Sequence, residues 1–380
     1  MKKSDPTAGL YLHIPFCRRK CLYCDFCSYA GMGADTVEAY VNRLCDELIC
    51  RSATVKNHTF DTVYFGGGTP TLLSPVHFSR LLDTVRSHVA LTPDAEITTE
   101  CNPATVDGHA LASLRRAGIN RLSIGMQSAS DDELRALGRI HTHADTVATV
   151  RAARAAGFDN LSLDLMYGIP SQTRDSFART LDAVLSLSPE HVSAYSLILE
   201  EGTPFWDVQD TLPLPDEDAV CDMTADALSV LRGAGYERYE ISNFALPGRA
   251  SRHNLHYWRM DDYLGVGIAA HSLVGGVRLQ NRPDLAAYLG GEDVSEQEEG
   301  LTPAAAMDET LMLGLRLSEG VDKSAFLSRF GMSLDERYGH KTARFVHMGL
   351  LVDTPDRLFL TDDGMAVSNT ILSDILFEYR

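Results

Sequence analysis

Four of the eight cysteines lie within eleven positions near the start of the chain, in the segment CRRKCLYCDFC at residues 17–27. The other four, Cys45, Cys50, Cys101 and Cys221, are scattered along the sequence. In a reducing compartment, clustered thiols are typical of metal or redox chemistry rather than of disulfides. The segment therefore predicts a metal site.

Three of these thiols, Cys17, Cys21 and Cys24, have the spacing CxxxCxxC. A [4Fe-4S] cluster has four irons, each normally held by a thiolate, so three cysteines on one tight loop leave one iron open to a cofactor or substrate. The alternative is zinc held by four thiolates, with Cys27 as the fourth. Zinc sites usually combine two CxxC-type turns from separate parts of the chain, so the spacing favours the cluster, with Cys27 as a bystander.

Strand and helix patterns alternate over the first 245 residues, in the rhythm of consecutive βα units around a parallel sheet. One helix has a clear start, where Ser74 can cap and Pro75 takes the first helical position. Six short runs predict strands: LYLHI from Leu10, DTVYF from Asp61, AEITTE from Ala95, RLSIGM from Arg121, LSLDLM from Leu161 and HVSAYSL from His191.

Polar and glycine-rich positions collect at the carboxyl ends of these strands. The cysteines follow the first strand and GGGTP (66–70) follows the second, while Glu100 and Gln127 close the third and fourth and Asp164 lies near the end of the fifth. Residues that converge from successive strand ends build one site at the top of a βα barrel, whereas a doubly wound sheet concentrates them at one switch point. The pattern therefore predicts an α/β fold with a partial, TIM-like (β/α)6 barrel.

The βα rhythm stops after Tyr239, and NFALPGRASRHNLHYW (243–258) has the composition of a loop. Towards the end of the chain, two or three helices precede short strand candidates, which predicts a smaller α+β unit of winged-helix type with a β-hairpin. The sequence thus divides into a barrel at 1–245, a connecting segment at 246–300 and a C-terminal domain at 301–380.

The 380 residues carry a formal net charge of −18, and the isoelectric point is about 5.1. Such a surface repels phosphate backbones, so we expect no nucleic-acid partner. No run approaches the roughly 18 apolar residues of a membrane span, and Asp5 and Pro6 stand where a signal peptide needs an unbroken apolar stretch. We therefore expect a cytoplasmic protein with no integral membrane segment.

The cysteine segment resembles the signature of the radical S-adenosylmethionine superfamily, which has the same CxxxCxxC spacing and an aromatic residue before the third cysteine, here Tyr23. The resemblance implies a [4Fe-4S] cluster whose open iron binds the amino and carboxylate groups of S-adenosylmethionine. It also implies that Cys17, Cys21 and Cys24 hold this cluster and that Tyr11 borders it.

The same resemblance gives roles to the residues at the strand ends. A glycine run without side chains would let the backbone approach the ammonium group of S-adenosylmethionine. Glu100 would accept hydrogen bonds from the ribose, and Arg139 would pair with the carboxylate through its planar donors. The cofactor-binding residues that the resemblance implies at the strand ends are Gly67, Gly68, Thr69, Glu100, Gln127, Arg139 and Asp164.

Within the superfamily, the chain resembles the coproporphyrinogen dehydrogenase-like group through YLHIPFC, YFGGGTPTLL, TTECNP, RLSIGMQS, LDLMYGIP and YEISNFA. This group contains oxygen-independent coproporphyrinogen III oxidases and the HemW family of heme chaperones. Two features weaken the oxidase interpretation: Phe26 stands where the oxidases have a further cysteine, and only 16 residues precede Cys17, where the oxidases have a long extension. A third feature favours the HemW family directly: HNLHYW at 253–258 is similar to the HNxxYW pattern of that family.

The HNxxYW resemblance implies heme binding. A neutral imidazole is a good axial ligand of heme iron, and Tyr257 and Trp258 offer flat faces to a porphyrin. His253 is the expected ligand and His256 the second choice. The alternative is a loop histidine that only satisfies backbone groups.

These features together predict a heme chaperone that binds a [4Fe-4S] cluster, S-adenosylmethionine and heme, and that passes heme to acceptor hemoproteins such as respiratory enzymes. A homodimer is compatible with the sequence. The main alternative is an oxidase that decarboxylates coproporphyrinogen III by radical chemistry. Radical modification of tRNA is disfavoured by the acidic surface.

Overall fold

The computed structural model describes residues 7–297 and 300–377. Residues 1–6, part of the segment expected not to be a signal peptide, lie outside this part, as do residues 378–380 at the end of the predicted C-terminal domain. Up to residue 297 the strands are β1 (Thr7–Ile14), β2 (Phe16–Cys17), β3 (Tyr29–Ala30), β4 (Thr59–Gly67), β5 (Ala90–Cys101), β6 (Arg121–Gln127), β7 (Leu161–Tyr167), β8 (His191–Ser196), β9 (Glu237–Arg238), β10 (Asn243–Ala245), β11 (Tyr263–Val266), β12 (His271–Val274), β13 (Val277–Asn281) and β14 (Ser295–Gln297). The helices in the same range are α1 (Ala34–Ser52), α2 (Pro75–His88), α3 (Gly108–Ala117), α4 (Asp131–Ala136), α5 (His143–Ala155), α6 (Arg174–Leu187), α7 (Pro204–Asp207), α8 (Glu217–Gly233), α9 (Arg252–Arg259) and α10 (Leu285–Leu289), with 3-10 turns at Ala53–Val55, Pro70–Leu72 and Gln209–Thr211.

Twelve strands form the main sheet, in the order β14-β13-β12-β11-β1-β4-β5-β6-β7-β8-β10-β9. All six predicted strands are present, as β1 and β4 to β8, and each pairs in parallel with its neighbour. A helix follows each of them, so the predicted α/β fold with six βα units is confirmed. Because the six strands run in parallel, their carboxyl ends meet at one rim.

Several helices of the βα units contact one another: α1 contacts α2, α2 contacts α3, α3 contacts α5, and α6 contacts α8. Phe65 in β4 meets Phe78 in α2 with ring centroids 5.1 Å apart, a pair that adds about 0.5–1.5 kcal/mol beyond its buried area. The predicted start of α2 is confirmed, since the Ser74 side chain accepts from the His77 N–H and Pro75 is the first helical residue.

In the span expected as a connecting segment, 246–300, four strands between residues 263 and 297 add to the main sheet. β11 lies parallel to β1 with Leu10 opposite Leu264, and β12, β13 and β14 continue the sheet in antiparallel pairs. The segment HNLHYW, expected in a loop, lies in helix α9. The loop interpretation was wrong because α9 buries two histidines, His253 and His256, rather than an apolar stripe, so the sequence shows no helical period.

A second hydrophobic core lies between residues 307 and 375. Its strands form an antiparallel sheet in the order β15-β17-β16, which has one strand more than the expected hairpin. The boundaries at residues 245 and 301 stay predictions. The elements of this unit are β15 (Val321–Asp322), β16 (Leu351–Asp353), β17 (Arg357–Leu360), α11 (Pro303–Gly314), α12 (Lys323–Phe330), α13 (Leu334–His347), α14 (Asp362–Ala366) and α15 (Ser368–Leu376).

The C-terminal unit packs against the barrel on the side of helix α9. Helix α11 contacts α9, and the Ser318 N–H donates to the Tyr239 carbonyl at 2.9 Å. In the described ranges, every helix is too short or too polar to cross a bilayer.

Candidate functional site

A cavity of about 340 Å³ opens at the rim formed by the strand ends. Cys17, Cys21 and Cys24 lie on its wall, whereas Cys27 lines a neighbouring cavity. The four thiols therefore do not surround one point, as a zinc tetrathiolate requires. Within residues 7–297 and 300–377, no three His, Cys, Asp or Glu side chains are grouped to hold a single metal ion.

The three cysteine side chains on the wall of the first cavity are half-buried, and two of them have hydrogen-bond donors beside the sulfur. The Thr69 hydroxyl donates to Cys17 Sγ at 3.6 Å, and Arg139 Nη1 donates to Cys21 Sγ at 3.7 Å. Burial raises the pKa of the Cys24 thiol to about 11, so this group is protonated until a metal displaces the proton. Three soft sulfur ligands with hydrogen bonds to sulfur suit an iron–sulfur cluster.

The glycine loop after β4 brings its backbone close to this wall. Gly67 has a φ of 114°, in the left-handed region, and a Cβ there would lie 2.6 Å from the His13 ring. A Cβ on Gly68 would lie 2.6 Å from the Phe16 carbonyl oxygen. Both positions therefore require glycine, and the loop can offer backbone groups to a ligand at close range.

Two carboxyl groups, those of Glu100 and Asp164, line the first cavity. Glu100 accepts from the Tyr64 hydroxyl and from the Gly67 N–H, both at 3.0 Å, and Asp164 accepts from the Ser123 hydroxyl at 3.1 Å. Burial and the nearby Asp164 carboxylate raise the pKa of Glu100 to about 7, and burial also raises the pKa of Asp164. Around neutral pH, Glu100 is therefore close to the point where it changes from acceptor to donor.

Gln127 closes β6 in a left-handed conformation, with a φ of 65°. Such a backbone costs on the order of 1–3 kcal/mol for a residue with a side chain, and residues strained in this way cluster at functional sites. The Tyr195 hydroxyl donates to Gln127 Oε1 at 3.0 Å and holds the amide at the cavity wall.

Arg139 is fixed by an amide and a carbonyl. Its Nη2 donates to Asn102 Oδ1 and to the Gly125 carbonyl, both at 2.6 Å, and Asn102 Nδ2 donates to the Thr69 hydroxyl at 2.6 Å. One side chain, that of Asn102, thereby positions both the guanidinium and the hydroxyl that contact the cysteines.

The structure brings most of the predicted site residues together, and their roles stay predictions. Tyr11, expected beside the cluster, lines the second cavity, where its hydroxyl is 3.0 Å from His13 Nδ1. His253 lines neither cavity. The predicted residues on the wall of the first cavity are Cys17, Cys21, Cys24, Gly67, Gly68, Thr69, Glu100, Gln127, Arg139 and Asp164.

Both ring nitrogens of His253 are occupied in the structure. Nδ1 lies 2.7 Å from the Thr62 hydroxyl and Nε2 lies 2.8 Å from the Tyr257 hydroxyl, and the side chain is 1% exposed. Burial and the neighbouring positive charge of His256 lower the pKa of His253 to about 3, so the ring is neutral. The expected role of His253 as an iron ligand stays a prediction, and it would require the ring to give up one of these two hydrogen bonds.

His256 is held between two carboxylates. Its Nε2 donates to Asp61 Oδ1 at 2.7 Å and its Nδ1 donates to Asp261 Oδ2 at 3.2 Å. Burial opposes the charge, but these two carboxylates outweigh it and raise the pKa of His256 to about 9. A ring that donates from both nitrogens has no lone pair left for a metal.

The second cavity, of about 700 Å³, adjoins the first between the barrel and the C-terminal unit. Phe26, Asn243 and Asn254 line both cavities. Most of the wall is aromatic or aliphatic. Its other lining residues are Tyr11, His13, Cys27, Tyr257, Trp258, Met260, Tyr263, Ala269, His271, Leu273, Arg278, Glu309 and Leu313.

Asn102, Tyr195 and Arg121 are among the lining residues of the first cavity that the sequence analysis missed. Asn102 follows Glu100 by two positions, and its place just after a strand end could have identified it. Tyr195, near the end of β8, carried the same signal. Arg121 is 2% exposed and is the first residue of β6, at the amino end of the strand, where no site residue was expected. Its Nε has no hydrogen-bond partner in the described part of the chain.

Two protein-family models match separate parts of the chain. The family model described as the radical SAM superfamily matches residues 11–184, and the model described as the HemN C-terminal domain matches residues 301–367.

Several proteins named heme chaperone HemW are similar to nearly the whole chain. The protein of Bacillus subtilis is 35% identical over 376 residues, which are 97% of this chain and 99% of that one. The protein of Escherichia coli K12 is 35% identical over 381 residues, with 98% and 99% covered. Among solved structures, coproporphyrinogen III oxidase (HemN) of Escherichia coli superimposes with a TM-score of 0.84 at 24% identity, covering 98% of this chain and 90% of that one.

Proposed function

We propose, from the premise that this chain belongs to the HemW family of heme chaperones, that it binds heme and passes it to acceptor hemoproteins, with a [4Fe-4S] cluster and S-adenosylmethionine as its own cofactors. One observation carries the proposal. The cavity that contains the CxxxCxxC thiols lies beside a larger, mostly apolar cavity lined by Tyr257 and Trp258 of the HNLHYW helix.

The residues of the first cavity fit the two cofactors. Cys17, Cys21 and Cys24 would hold the cluster, which supplies an open iron position and an electron when it is bound. Arg139, already oriented by Asn102, would bind the carboxylate of S-adenosylmethionine. The remaining predicted partners are the glycine loop for the ammonium group and Glu100, Gln127 and Asp164 for the sugar.

The second cavity would take heme as cargo. Its volume of about 700 Å³ lies inside the range of roughly 300–1,000 Å³ that is usual for small-molecule sites. The apolar wall suits the faces of a porphyrin, and the acidic surface suits a protein acceptor better than a nucleic acid. A cytoplasmic location belongs to the proposal because all eight cysteines are free thiols. A homodimer stays a prediction.

The second candidate function is oxidation of coproporphyrinogen III. The first cavity would serve either function, because both use the same cofactors. Phe26, which lines both cavities, occupies the position where the resemblance places a further cysteine in the oxidases, and this favours the chaperone.

The test starts from protein reconstituted with iron and sulfide without oxygen. Heme is titrated while the Soret absorbance is followed, and the loaded protein is then mixed with an apo-hemoprotein. We expect saturable binding at one heme per chain and transfer to the acceptor. In parallel, coproporphyrinogen III is supplied with reductant and S-adenosylmethionine. Appearance of protoporphyrinogen without heme transfer would establish the oxidase instead, and absence of saturable heme binding would refute the chaperone.

A further inference from the structure

Arg121 is a buried cation on the wall of the first cavity. It is the first residue of β6 and is 2% exposed, and alternate residues of the same strand, Ser123, Gly125 and Gln127, line the same cavity. Within residues 7–297 and 300–377, its Nε has no hydrogen-bond partner and its guanidinium forms no ion pair. Arginine stays charged in proteins, so a buried guanidinium without a partner carries a desolvation cost that a bound anion would offset.

The carboxyl groups of the first cavity do not supply this anion. Asp164 accepts from the Ser123 hydroxyl at 3.1 Å, and Glu100 accepts from a tyrosine hydroxyl and a backbone N–H. Burial and the positive charge of Arg121 lower the pKa of His191, which lines the same cavity, so this imidazole is neutral. The anion that pairs with Arg121 therefore belongs to a ligand.

The other cationic side chains on the two cavity walls differ from Arg121. Arg139 donates to two oxygens of the protein, and Arg278 of the second cavity pairs with Glu309. Arg19 and Lys20 are exposed. Among the described residues that line the two cavities, the guanidinium at the start of β6 is thus the only buried lysine or arginine group without a protein partner.

S-adenosylmethionine does not account for Arg121. Its single carboxylate is proposed to pair with Arg139, whose Nη1 lies 3.7 Å from Cys21 Sγ and whose Nη2 donates to the Gly125 carbonyl. Gly125 is four residues beyond Arg121 on β6, which corresponds to about 13 Å of strand. A carboxylate beside the cysteines and the guanidinium at the start of β6 therefore lie towards different ends of the cavity.

The two cavities share a polar boundary. Asn243 of β10 and Asn254 of α9 line both of them. Asn243 lies opposite Ser193 of β8, and Ser193 and His191 line the first cavity together with Arg121. An acidic substituent on a ligand of the mostly apolar second cavity can therefore extend past the two asparagines towards Arg121.

We infer that Arg121 binds a propionate carboxylate of heme held in the second cavity; this inference rests on the proposed function. Heme is a flat apolar macrocycle with its two propionates on one edge. The planar guanidinium matches a carboxylate through two parallel N–H donors. The propionate edge of heme then faces the first cavity, while the apolar remainder of the macrocycle stays on the wall of the second.

The inference is tested with two ligands, ferric heme and its dimethyl ester, which has the same macrocycle but no carboxylate. Both are titrated into the reconstituted full chain and its variants. We expect Arg121→Gln to bind heme about 10- to 100-fold more weakly and to bind the ester as the wild type does. Arg121→Lys, which keeps the charge but not the planar donors, should lose less heme affinity. Arg151→Gln, which changes an exposed arginine on α5, is the matched control and should behave like the wild type.

The outcomes separate the inference from the proposed function. Equal weakening of heme and ester binding by Arg121→Gln overturns the inference, and so does unchanged heme binding. A lower affinity for S-adenosylmethionine with unchanged heme binding assigns Arg121 to the cofactor and overturns it as well. Absence of saturable heme binding by the wild type refutes the proposed function itself. Circular dichroism verifies the fold of each variant, and if Arg121→Gln does not fold, Arg121→Lys must still weaken binding of heme more than binding of the ester.

Discussion

The stability of the protein should depend on pH through His256. We expect replacement by glutamine, which keeps a hydrogen-bond donor but loses the charge, to destabilise the protein at pH 6.5 and to have a much smaller effect at pH 9.5. The reason is that the imidazolium is held between Asp61 and Asp261 in the folded state.

The magnitude follows from the shift of the His256 pKa from its ordinary value of 6.5 to about 9. One pKa unit corresponds to about 1.36 kcal/mol, so the difference of about 2.5 corresponds to about 3 kcal/mol of unfolding free energy. Because the folded pKa is raised, this contribution is fully present below pH 6.5 and is lost as the pH rises through 9. The gap between the wild type and His256→Gln should therefore shrink by about 3 kcal/mol between pH 6.5 and pH 9.5.

Urea unfolding followed by circular dichroism at the two pH values measures this gap. His109→Gln is the control, since the exposed His109 should leave the unfolding free energy unchanged at both. A gap between the wild type and His256→Gln that is the same at pH 6.5 and pH 9.5 would show that His256 is not a charged partner of the carboxylates.

Three further predictions concern the first cavity. Gly68→Ala should lower the free energy of unfolding by about 1–3 kcal/mol and weaken S-adenosylmethionine binding, because the added Cβ would lie 2.6 Å from a backbone oxygen. Equilibrium dialysis measures the binding. The control Gly33→Ala, where an added Cβ meets nothing within 4 Å, should change neither quantity. Cys24→Ser should lower the amount of iron and sulfide bound on reconstitution, whereas Cys27→Ser should still bind about four irons per chain. Equal losses of iron in the two variants would contradict the assignment of the cluster ligands. The affinity for S-adenosylmethionine should fall as the pH drops through about 7, because protonation of Glu100 removes a hydrogen-bond acceptor for the ribose. A similar pH dependence in Glu100→Gln would exclude this carboxyl group as the cause.

Sequence and structure agree best where the relevant interactions are local. The six strands of the barrel and the start of α2 were predictable, because strand patterns and the Ser74 cap depend on residues within one short segment. The strand β11 and helix α9 were missed for the opposite reason. β11 has four residues and gains its place from pairing with β1, some 250 positions earlier, and α9 buries polar rather than apolar side chains.

The sequence by itself determined which chemistry is available: three thiols at fixed spacing, a glycine run and polar side chains at successive strand ends, which parallel strands must carry to one rim. Only the tertiary structure decided which groups meet. Thr62 bonds to His253, 191 positions later, and Asp61 bonds to His256, 195 positions later. Glu309 and Leu313 of the C-terminal unit complete the wall of the second cavity. Hydrogen bonds and burial decide whether an imidazole is charged, holds a neighbouring side chain in place or can bind a metal. The hydrogen bonds and the burial both depend on neighbours that the chain brings together only when it folds.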